Sequence, residues 1–207
     1  MERLLVATTN PDKLREIRGI LSRLPVEIMT LRDLTPVPEP EETGTTFAEN
    51  ARLKALYYDA MAGADLAPAQ PRPRYTVAED SGLVIDALDG EPGVYSARFL
   101  RPDATYSERF SEIYRRLAET PARARSARFI CALAVAQAGT IVYETTGTIE
   151  GDIADMPRGV GGFGYDPIFH YPPYRRTLGE VTEDAKLRVA HRGEAFRRWA
   201  VWLDEHL

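Results

Sequence analysis

The order in which strand-like and helix-like segments follow one another constrains the fold of this 207-residue chain more than any other feature. Residues 3–7 read as a short apolar strand, and a polar turn joins them directly to a segment with helical periodicity. Further along, the strand-like residues 128–136 and 140–145 have Ala138-Gly139, a pair suited to a hairpin turn, between them. Because helices join some strands and a turn joins others, we predict an α/β fold built on a mixed sheet flanked by helices.

Three N-terminal signals locate helices. Asn10 is a good N-cap, and Pro11 suits the first helical position. Thr46 and Glu49 have capping-box spacing, which predicts a helix that runs to about residue 62. A third helix is expected to begin through Asp103. The predicted buried faces of the first and third helices are Leu14, Ile17, Leu21 and Leu24, and Phe110, Ile113, Tyr114 and Leu117.

Apolar runs and helix-breaking residues predict strands and loops in most of the remaining chain. Residues 26–31 form a second strand, 36–42 an acidic and proline-rich loop, and 63–74 a surface loop. Two strand pieces, 76–78 and 83–87, are expected on either side of the polar segment Glu79-Asp80-Ser81-Gly82.

Composition and charge narrow the class of protein. Hydrophobic residues make up 44% and charged residues 28%, which predicts one globular folding unit over residues 1–207. The net charge of -5 disfavours a nucleic-acid partner and favours a small anionic ligand. No apolar stretch approaches the length of about 20 residues that spans a membrane, and the start lacks a signal-peptide run, so we expect a cytosolic protein.

Cysteine and histidine usage bears on disulfides and metals. The single cysteine, Cys131, cannot form an intrachain disulfide and lies in a strand-like apolar run, which predicts a core thiol. The histidines His170, His191 and His206 lack the paired spacing of a zinc site, so any metal is expected to have oxygen ligands. Only three of the 26 Lys+Arg residues are lysines, a skew that by itself says nothing about function.

The turn after the first strand is a candidate anion site. A helix N-terminus offers unpaired backbone N–H groups and a partial positive charge, and Lys13 adds a full charge. The alternative is an ordinary capped surface helix. The glycines and the Gly-Lys-Ser/Thr end of a P-loop are missing.

Two groups of carboxylates are candidates for metal binding. Glu39, Glu41 and Glu42 share one loop, and Glu79-Asp80 lies between apolar strand pieces, where a carboxylate is costly without a cation. Triphosphate chemistry uses a hard divalent ion held by one or two carboxylates and the phosphates of the substrate. For Asp80 we favour this function over a solvated turn, whereas the glutamate run alone is typical of a solvated loop.

A glycine-rich segment at 159–164 matches G-x-G-x-x-G by letter. A dinucleotide-binding fingerprint needs a helix that opens at its end, but Tyr165-Asp166-Pro167 and an apolar extended run follow instead. We therefore reject the Rossmann interpretation. The loop either closes over a base with Phe163 or is a simple turn.

The C-terminal region is predicted to be helical over 182–189 and again from Gly193. A break within 190–193 would bring Lys186 near His191-Arg192, although such a basic cluster is also common as decoration of helix ends. The predicted buried face of the last helix is Phe196, Trp199 and Leu203.

In this order, the segments resemble the inosine triphosphate pyrophosphatase family. The matching motifs are ATTNPDK at 7–13, EETGTTF at 41–47 with ENA at 49–51, DSGL at 80–83, PGVYSAR at 92–98, GFGYDPIF at 162–169 and HRGEA at 191–195. The resemblance implies an elongated α/β fold with a long mixed sheet, two lobes with the active cleft between them, and a homodimer. It also implies magnesium-dependent hydrolysis of non-canonical purine nucleoside triphosphates (ITP, dITP and XTP) to the monophosphate and pyrophosphate.

The resemblance assigns roles to individual positions. Glu41 and Asp80 would bind Mg2+, and Asp80 would also be the catalytic base that activates water. Substrate contacts would come from Thr8, Thr9, Asn10, Pro11, Asp12, Lys13, Ser81, Phe163, Gly164, Tyr165, Asp166, Lys186, His191 and Arg192. The chain departs from the family pattern at Glu79, where a second aspartate is common, and at Ala190, where a serine is common.

Base selection can be argued from hydrogen-bond type. Hypoxanthine and xanthine present an oxygen acceptor where adenine presents an amino donor, so donors from His191, Arg192 or backbone N–H groups would be left unpaired by ATP. Two alternatives stay open: a pyrophosphatase of the same fold acting on other modified nucleotides, and a nucleotide-binding module without catalysis.

Overall fold

The structure is a computed structural model that describes residues 2–65, 72–120 and 125–207. Within these ranges the chain forms seven β-strands and five α-helices. The strands are β1 Glu2–Val6, β2 Val26–Thr30, β3 Tyr75–Ile85, β4 Ser126–Gln137, β5 Thr140–Ile153, β6 Phe169–Tyr171 and β7 Arg176–Thr177. The helices are α1 Pro11–Leu21, α2 Phe47–Asp65, α3 Tyr106–Glu119, α4 Glu183–Val189 and α5 His191–Asp204.

The strands are hydrogen-bonded in the order β2-β1-β3-β4-β5-β6-β7. Strand β1 pairs in parallel with β2 and β3, whereas β6 pairs antiparallel with β5 and β7. The predicted mixed sheet and α/β class are therefore confirmed. At the predicted hairpin turn, Ala138 and Gly139 have φ values of 50° and 78°, the left-handed pair that a tight turn between twisted strands requires.

The chain divides into two compact units. Unit 1 comprises Met1–Asp80, Cys131–Gly147 and Arg192–Leu207, and unit 2 comprises Ser81–Ile130 and Thr148–His191. The single folding unit, the elongated shape and the cleft expected from the sequence stay predictions.

Unit 1 has apolar side chains on both faces of its strands. Side chains alternate along a strand, so Leu133 of β4 packs with α1 and α5, while Ala132 and Ala134 pack with α2. The small residues suit the alanine-lined face of α2, which buries Ala51 and Ala55. Phe196, Trp199 and Leu203 are all buried, as the helical pattern predicted.

Unit 2 has its own aromatic core. Phe129 and Phe169 pack with ring centroids 4.6 Å apart, and α3 adds Ile113 and Leu117 to the same cluster. Tyr165 is buried here and donates a hydrogen bond of 2.9 Å to the carbonyl oxygen of Ser96.

The helix starts follow their caps. Asn10 caps α1 and Thr46 caps α2 with Glu49 as the reciprocal partner, so both predictions are confirmed. Helix α2 continues to Asp65, past its predicted end. Of the loop expected over 63–74, residues 66–71 lie outside the described part of the chain.

The expected start of α3 was wrong. The helix begins after Thr105, whose side chain and backbone exchange hydrogen bonds with Glu108. Asp103 has Tyr106 three residues later, which offers no carboxylate for a reciprocal cap, so the capping box selects Thr105.

The expected break in β3 was also wrong. Glu79-Asp80-Ser81-Gly82 does not separate two strand pieces but lies inside one 11-residue strand. Charged residues read as a turn in the sequence because their counter-charges come from distant segments, which the sequence pattern does not show.

The break before the last helix was correctly predicted. Ala190 has the extended values φ -64° and ψ 145°, and α5 begins at His191 rather than at Gly193. None of the helices in the described ranges has both the length and the apolar character needed to cross a membrane.

Removing the cap of α3 tests the corrected helix start. Thr105→Ala should lower the free energy of unfolding by about 1 kcal/mol, because two hydrogen bonds at the helix start are lost. Urea denaturation measures the change. The control Ser107→Ala, at an exposed position in the same turn, should stay within about 0.5 kcal/mol of the original protein. Equal losses in the two variants would contradict the assigned cap.

Candidate active site

The candidate site begins with two neighbouring acidic residues on β3. Glu79 and Asp80 are both buried, and consecutive side chains of a strand point to opposite faces of the sheet. Buried carboxylates need cationic or hydrogen-bonding partners. Each of these two has a separate set of partners within unit 1.

Asp80 is held by two residues one turn apart on α2. The side-chain amide of Asn50 donates to Asp80 Oδ2 at 3.1 Å, and Lys54 Nζ lies 3.2 Å from Asp80 Oδ1. The same Lys54 ammonium lies 2.8 Å from Glu42 Oε1. Residues four apart on a helix share a face, so Asn50 and Lys54 are positioned together. One lysine therefore serves two carboxylates.

The pKa shifts of Asp80 and Lys54 follow from these contacts and from burial. Burial raises the pKa of Asp80, Lys54 opposes the rise, and the nearby Glu42 charge adds to it. For Lys54, burial is the largest influence and would lower its pKa, but attraction by Asp80 and Glu42 leaves that pKa raised. The ammonium stays charged, while burial and the neighbouring Glu42 carboxylate keep the pKa of Asp80 above its usual value. Oxygen ligands with unbalanced negative charge fit a hard divalent cation.

Glu79, unlike Asp80, lies near two cationic side chains. Lys13 Nζ lies 2.6 Å from Glu79 Oε1, and the thiol of Cys131 donates to Glu79 Oε2 at 3.3 Å. Arg192 Nη1 donates to Glu16 Oε2 at 2.6 Å, while its Nη2 lies 3.5 Å from Glu79 Oε1. Two acids and two bases make this cluster neutral.

The neutral cluster fixes the protonation of its members. Burial opposes ionisation of Glu79, but Arg192 and Lys13 outweigh it and hold the Glu79 pKa well below its usual value. Burial, followed by the Glu79 charge, raises the pKa of Cys131 well above its usual value. Cys131 is thus a buried, protonated hydrogen-bond donor, and the predicted core thiol is confirmed. Neighbouring carboxylates whose pKa values move in opposite directions mark an acid–base site.

The polar turn before α1 is less open than the sequence predicted. Asn10 Oδ1 accepts hydrogen bonds from the backbone N–H groups of Asp12 and Lys13, at 2.9 and 3.2 Å. Pro11 has no N–H group to offer. The expectation of unpaired amides was therefore wrong at Asp12 and Lys13, because the N-cap itself binds them.

Side chains of the same turn are engaged as well. Thr8 Oγ1 accepts from the Asn10 N–H at 3.2 Å, and Thr9 Oγ1 donates to Glu39 Oε1 at 3.0 Å. The Lys13 side chain is 20% exposed even though it binds Glu79. An anion at this turn would therefore meet the Lys13 ammonium and the helix dipole.

The three glutamates of the 36–42 loop differ in the residues that they contact. Glu39 binds Thr9 and Glu42 binds Lys54, whereas Glu41 is exposed, and no side-chain hydrogen bond or ion pair of Glu41 is found in the described ranges. The structure therefore brings Glu42, and not the predicted Glu41, to Asp80. Neighbouring acidic residues in a loop are equivalent in the sequence and are distinguished only by which one faces the lysine.

Unit 2 contains a second polar cluster, at the glycine-rich loop. Lys186 Nζ lies 2.6 Å from Asp166 Oδ2, and both side chains are 4% exposed. Asp166 Oδ2 also accepts from the Phe163 N–H at 2.7 Å, and the Lys186 ammonium lies 4.2 Å from the centroid of the Phe163 ring. A Cβ at Gly162, where φ is 68°, would stand 2.2 Å from Asp166 Oδ2, so only glycine fits.

Several predicted substrate contacts are placed differently. The Tyr165 side chain is buried in the core of unit 2, and its ring lies 5.3 Å from that of Tyr106. Arg192 is 1% exposed and bound to Glu16 and Glu79, and its contact with a base stays a prediction. His191 is buried and stacks on Phe129 at 5.0 Å. Ser81 and Phe163 are partly exposed, as a substrate contact requires, and so is Gly164.

Asn50 and Lys54 were not predicted from the sequence. The available signal was the rarity of lysine in this chain. All three lysines (Lys13, Lys54 and Lys186) bind a buried carboxylate, with exposed side-chain fractions of 20%, 14% and 4%. A lysine keeps a compact charge with three donors, whereas the planar arginine fork fixes the direction of its hydrogen bonds.

These features define a class of protein: a mixed-sheet α/β protein with a buried lysine shared by two carboxylates, a donor set suited to a divalent metal. The sequence model of the Ham1 family matches residues 4–202 of the chain. The chain belongs to the Ham1 family.

Individual relatives agree with this assignment. The dITP/XTP pyrophosphatase of Halalkalibacterium halodurans is 41% identical over 99% of this chain and 100% of its own. That of Geobacter sulfurreducens is 44% identical over 94% of this chain and 93% of its own. The solved structure of a HAM1 protein from Coxiella burnetii has a TM-score of 0.88 and 35% identity, covering 99% of this chain and 100% of that one.

Removing Arg192 distinguishes a structural cation from a base contact. Arg192→Leu should lower the free energy of unfolding by about 3–5 kcal/mol, because Glu16 and Glu79 lose a buried counter-charge. Adding Glu16→Gln should recover part of this loss in urea denaturation. Arg198→Leu removes an exposed ion pair with Glu194 and should change stability by less than about 1 kcal/mol. A normally stable Arg192→Leu protein would overturn the structural role.

Proposed function

We propose that the protein is a metal-dependent pyrophosphohydrolase that cleaves purine nucleoside triphosphates with a wrong base (ITP, dITP and XTP) to the monophosphate and pyrophosphate. One observation carries the proposal: Asp80 and Glu42 share the single ammonium of Lys54, and the pKa of Asp80 is raised while that of its neighbour Glu79 is lowered. The names of the relatives, dITP/XTP pyrophosphatase, support the substrate class.

Asp80 is proposed as the base. Its Oδ1 and Oδ2 are oriented by Lys54 and Asn50, so the carboxylate is fixed before substrate arrives. A water held by Asp80 attacks the α-phosphorus and transfers its proton to the carboxylate, while the bond to the bridging oxygen breaks and pyrophosphate leaves with the electron pair. A raised pKa brings the base closer to the working pH and favours this proton transfer.

Glu42 and Asp80 are proposed to hold a divalent cation, with Mg2+ as the natural ion. When bound, the ion would neutralise charge on the phosphate oxygens. The Lys54 ammonium forms an ion pair with each carboxylate and so holds the two carboxylates at a fixed separation.

The remaining contacts belong to the same proposal. Lys13 and the turn that precedes it would meet the triphosphate, and Ser81 follows the catalytic residue directly. Phe163 and Lys186 would contact the nucleotide, because the loop holds the aromatic ring against a buried ammonium. With Arg192 committed to carboxylates, selection of a 6-oxo purine would depend on backbone N–H groups, Lys186 or His191. A cytosolic location and a homodimeric state remain part of the proposal.

A substrate panel tests the reaction. Pyrophosphate release is measured with ITP, dITP, XTP, ATP, GTP and dUTP, with and without Mg2+. We expect rapid, metal-dependent release from the first three only. Preference for dUTP would indicate another modified-nucleotide hydrolase, and binding of ITP without release would indicate a module without catalysis.

Replacing Asp80 should separate activity from stability. Asp80→Asn should lower kcat by about 10²–10⁴-fold, since proton transfer is lost. In EDTA at pH 7 it should keep or raise the melting temperature, because a raised pKa means that folding opposes ionisation of Asp80. This gain should shrink as the pH falls through the raised pKa of Asp80, because protonation of the native carboxylate removes the same charge.

Glu79→Gln is the matched control for that experiment. The pKa of Glu79 is lowered, so its charge stabilises the fold above the unfolded pKa and the contribution fades as pH falls. Glu79→Gln should therefore lower the melting temperature at pH 7. Destabilisation by Asp80→Asn at pH 7 would contradict the assignment of charge imbalance to Asp80.

The two loop glutamates give a matched test of metal binding. Glu42→Gln should raise the Mg2+ concentration for half-maximal activity by about tenfold or more, because a ligand beside Asp80 is lost. Glu41→Gln has the same charge change one residue away and should leave that concentration within about twofold. If Glu41→Gln has the larger effect, the metal assignment returns to Glu41.

A further inference from the structure

A polar cavity of about 250 Å³ lies within unit 2, apart from the residues assigned to catalysis. Its wall comes from the end of β5, the segment that follows, and the antiparallel pair β6 and β7. Four basic side chains line it: Arg158, Arg175, Arg176 and His170. Nothing in the proposed reaction uses these groups.

Arg175 has an unusual backbone conformation. Its φ of 51° and ψ of 33° lie in the left-handed region, and its N–H donates to the Pro172 carbonyl oxygen at 3.0 Å. Glycine is the usual residue at such a turn because it lacks the Cβ that makes this conformation unfavourable. An arginine therefore takes, in the wall of the cavity, a backbone position at which glycine would be less strained.

The guanidinium groups of the three cavity arginines do not stabilise the fold through contacts of their own. In the ranges that the structure describes, the side chains of Arg158, Arg175 and Arg176 form no hydrogen bond and no ion pair within 4.0 Å. Guanidinium groups bind phosphate oxygens through paired N–H donors. Three of them around one depression make a recognisable phosphate environment.

The acidic residues of the cavity have other partners. Glu180 Oε2 accepts from the Thr177 N–H at 2.8 Å and from its hydroxyl at 3.2 Å. These bonds, followed by Arg158 and Arg176, lower the Glu180 pKa. Asp155 pairs with Arg125 at 3.7 Å, and Asp152 lies 4.0 Å from His170 Nδ1. Glu180 is therefore held by Thr177 and Asp155 by Arg125, whereas His170 offsets the charge of Asp152 only when it is protonated. The guanidinium groups of Arg158, Arg175 and Arg176 have no carboxylate within 4.0 Å in the described ranges.

We propose that this cavity is a second anion site, which binds inorganic phosphate or pyrophosphate through Arg158, Arg175 and Arg176. Its volume lies below the 300–1,000 Å³ or so typical of pockets for larger organic ligands, which favours the small anion over a whole nucleotide. The site is independent of the proposed reaction, since none of its residues belongs to the Asp80 or Asp166 clusters.

Calorimetric titration of the full-length protein with pyrophosphate and with orthophosphate, in EDTA, tests the proposal. Arg175→Gly and Arg176→Ala should each weaken binding at this site by about tenfold or more, because one charge-assisted contact is lost. Arg18→Ala removes an exposed arginine of unit 1 and should leave affinity within about twofold. Unchanged affinity in both cavity variants would overturn the proposal.

Two further measurements separate this site from a structural role or from the active site. Arg175→Gly should raise the melting temperature without ligand, since it relieves the left-handed strain, and should lose the additional stabilisation by pyrophosphate. Its turnover of ITP should equal that of the original protein when no phosphate is added. A fall in turnover that accompanies the loss of binding would place Arg175 in the catalytic site and refute a separate one.

Discussion

The structure of the site depends on two adjacent carboxylates that leave one strand in opposite directions. Glu79 enters a neutral cluster with Lys13, Arg192 and Glu16, where its charge is fully balanced. Asp80 enters a cluster in which one lysine serves two acids. The balanced cluster holds the strand, the first helix and the start of the last helix together, because its members come from all three. The Asp80 cluster is the one proposed to accept a cation and a proton.

The three lysines of this chain differ from most of its arginines in the contacts that they make. Arginines form the exposed ion pairs, such as those along α3, where each is worth little to stability. The lysines instead bind buried carboxylates. A lysine ammonium is a compact charge that can contact two carboxylates at once, whereas a guanidinium presents five N–H groups in fixed directions, and the pKa of a lysine responds to its surroundings. Arg192 is an exception among the arginines because it is buried. Its two Nη atoms bind two different glutamates.

The sequence was sufficient for the features that local physics determines. The caps at Asn10 and Thr46, the Ala138-Gly139 turn, the break at Ala190 and the buried face of the last helix all followed from patterns of a few residues. The family resemblance, and with it the fold class, followed from motifs in order.

The errors concern partners distant in sequence. Strand β3 was predicted as two pieces because the cations that neutralise Glu79 and Asp80 come from α1, α2 and α5. The sequence also does not show that Glu42 contacts Lys54 or that Arg192 is buried, and the roles predicted for Glu41 and Arg192 stay predictions.

The departure at Glu79 is explained by the same geometry. One carboxylate oxygen of this residue meets both Lys13 and Arg192, while the other accepts the Cys131 thiol, and a glutamate has one more methylene than an aspartate with which to reach them. The longer side chain is therefore compatible with the site because it belongs to the Lys13 and Arg192 cluster rather than to the pair of carboxylates that shares Lys54. A substitution of the same kind at Asp80 would shift the oxygens that Asn50 and Lys54 orient, and the proposed reaction uses those oxygens. Glu79 therefore needs only to reach its partners, whereas the proposed reaction depends on the position of the Asp80 carboxylate.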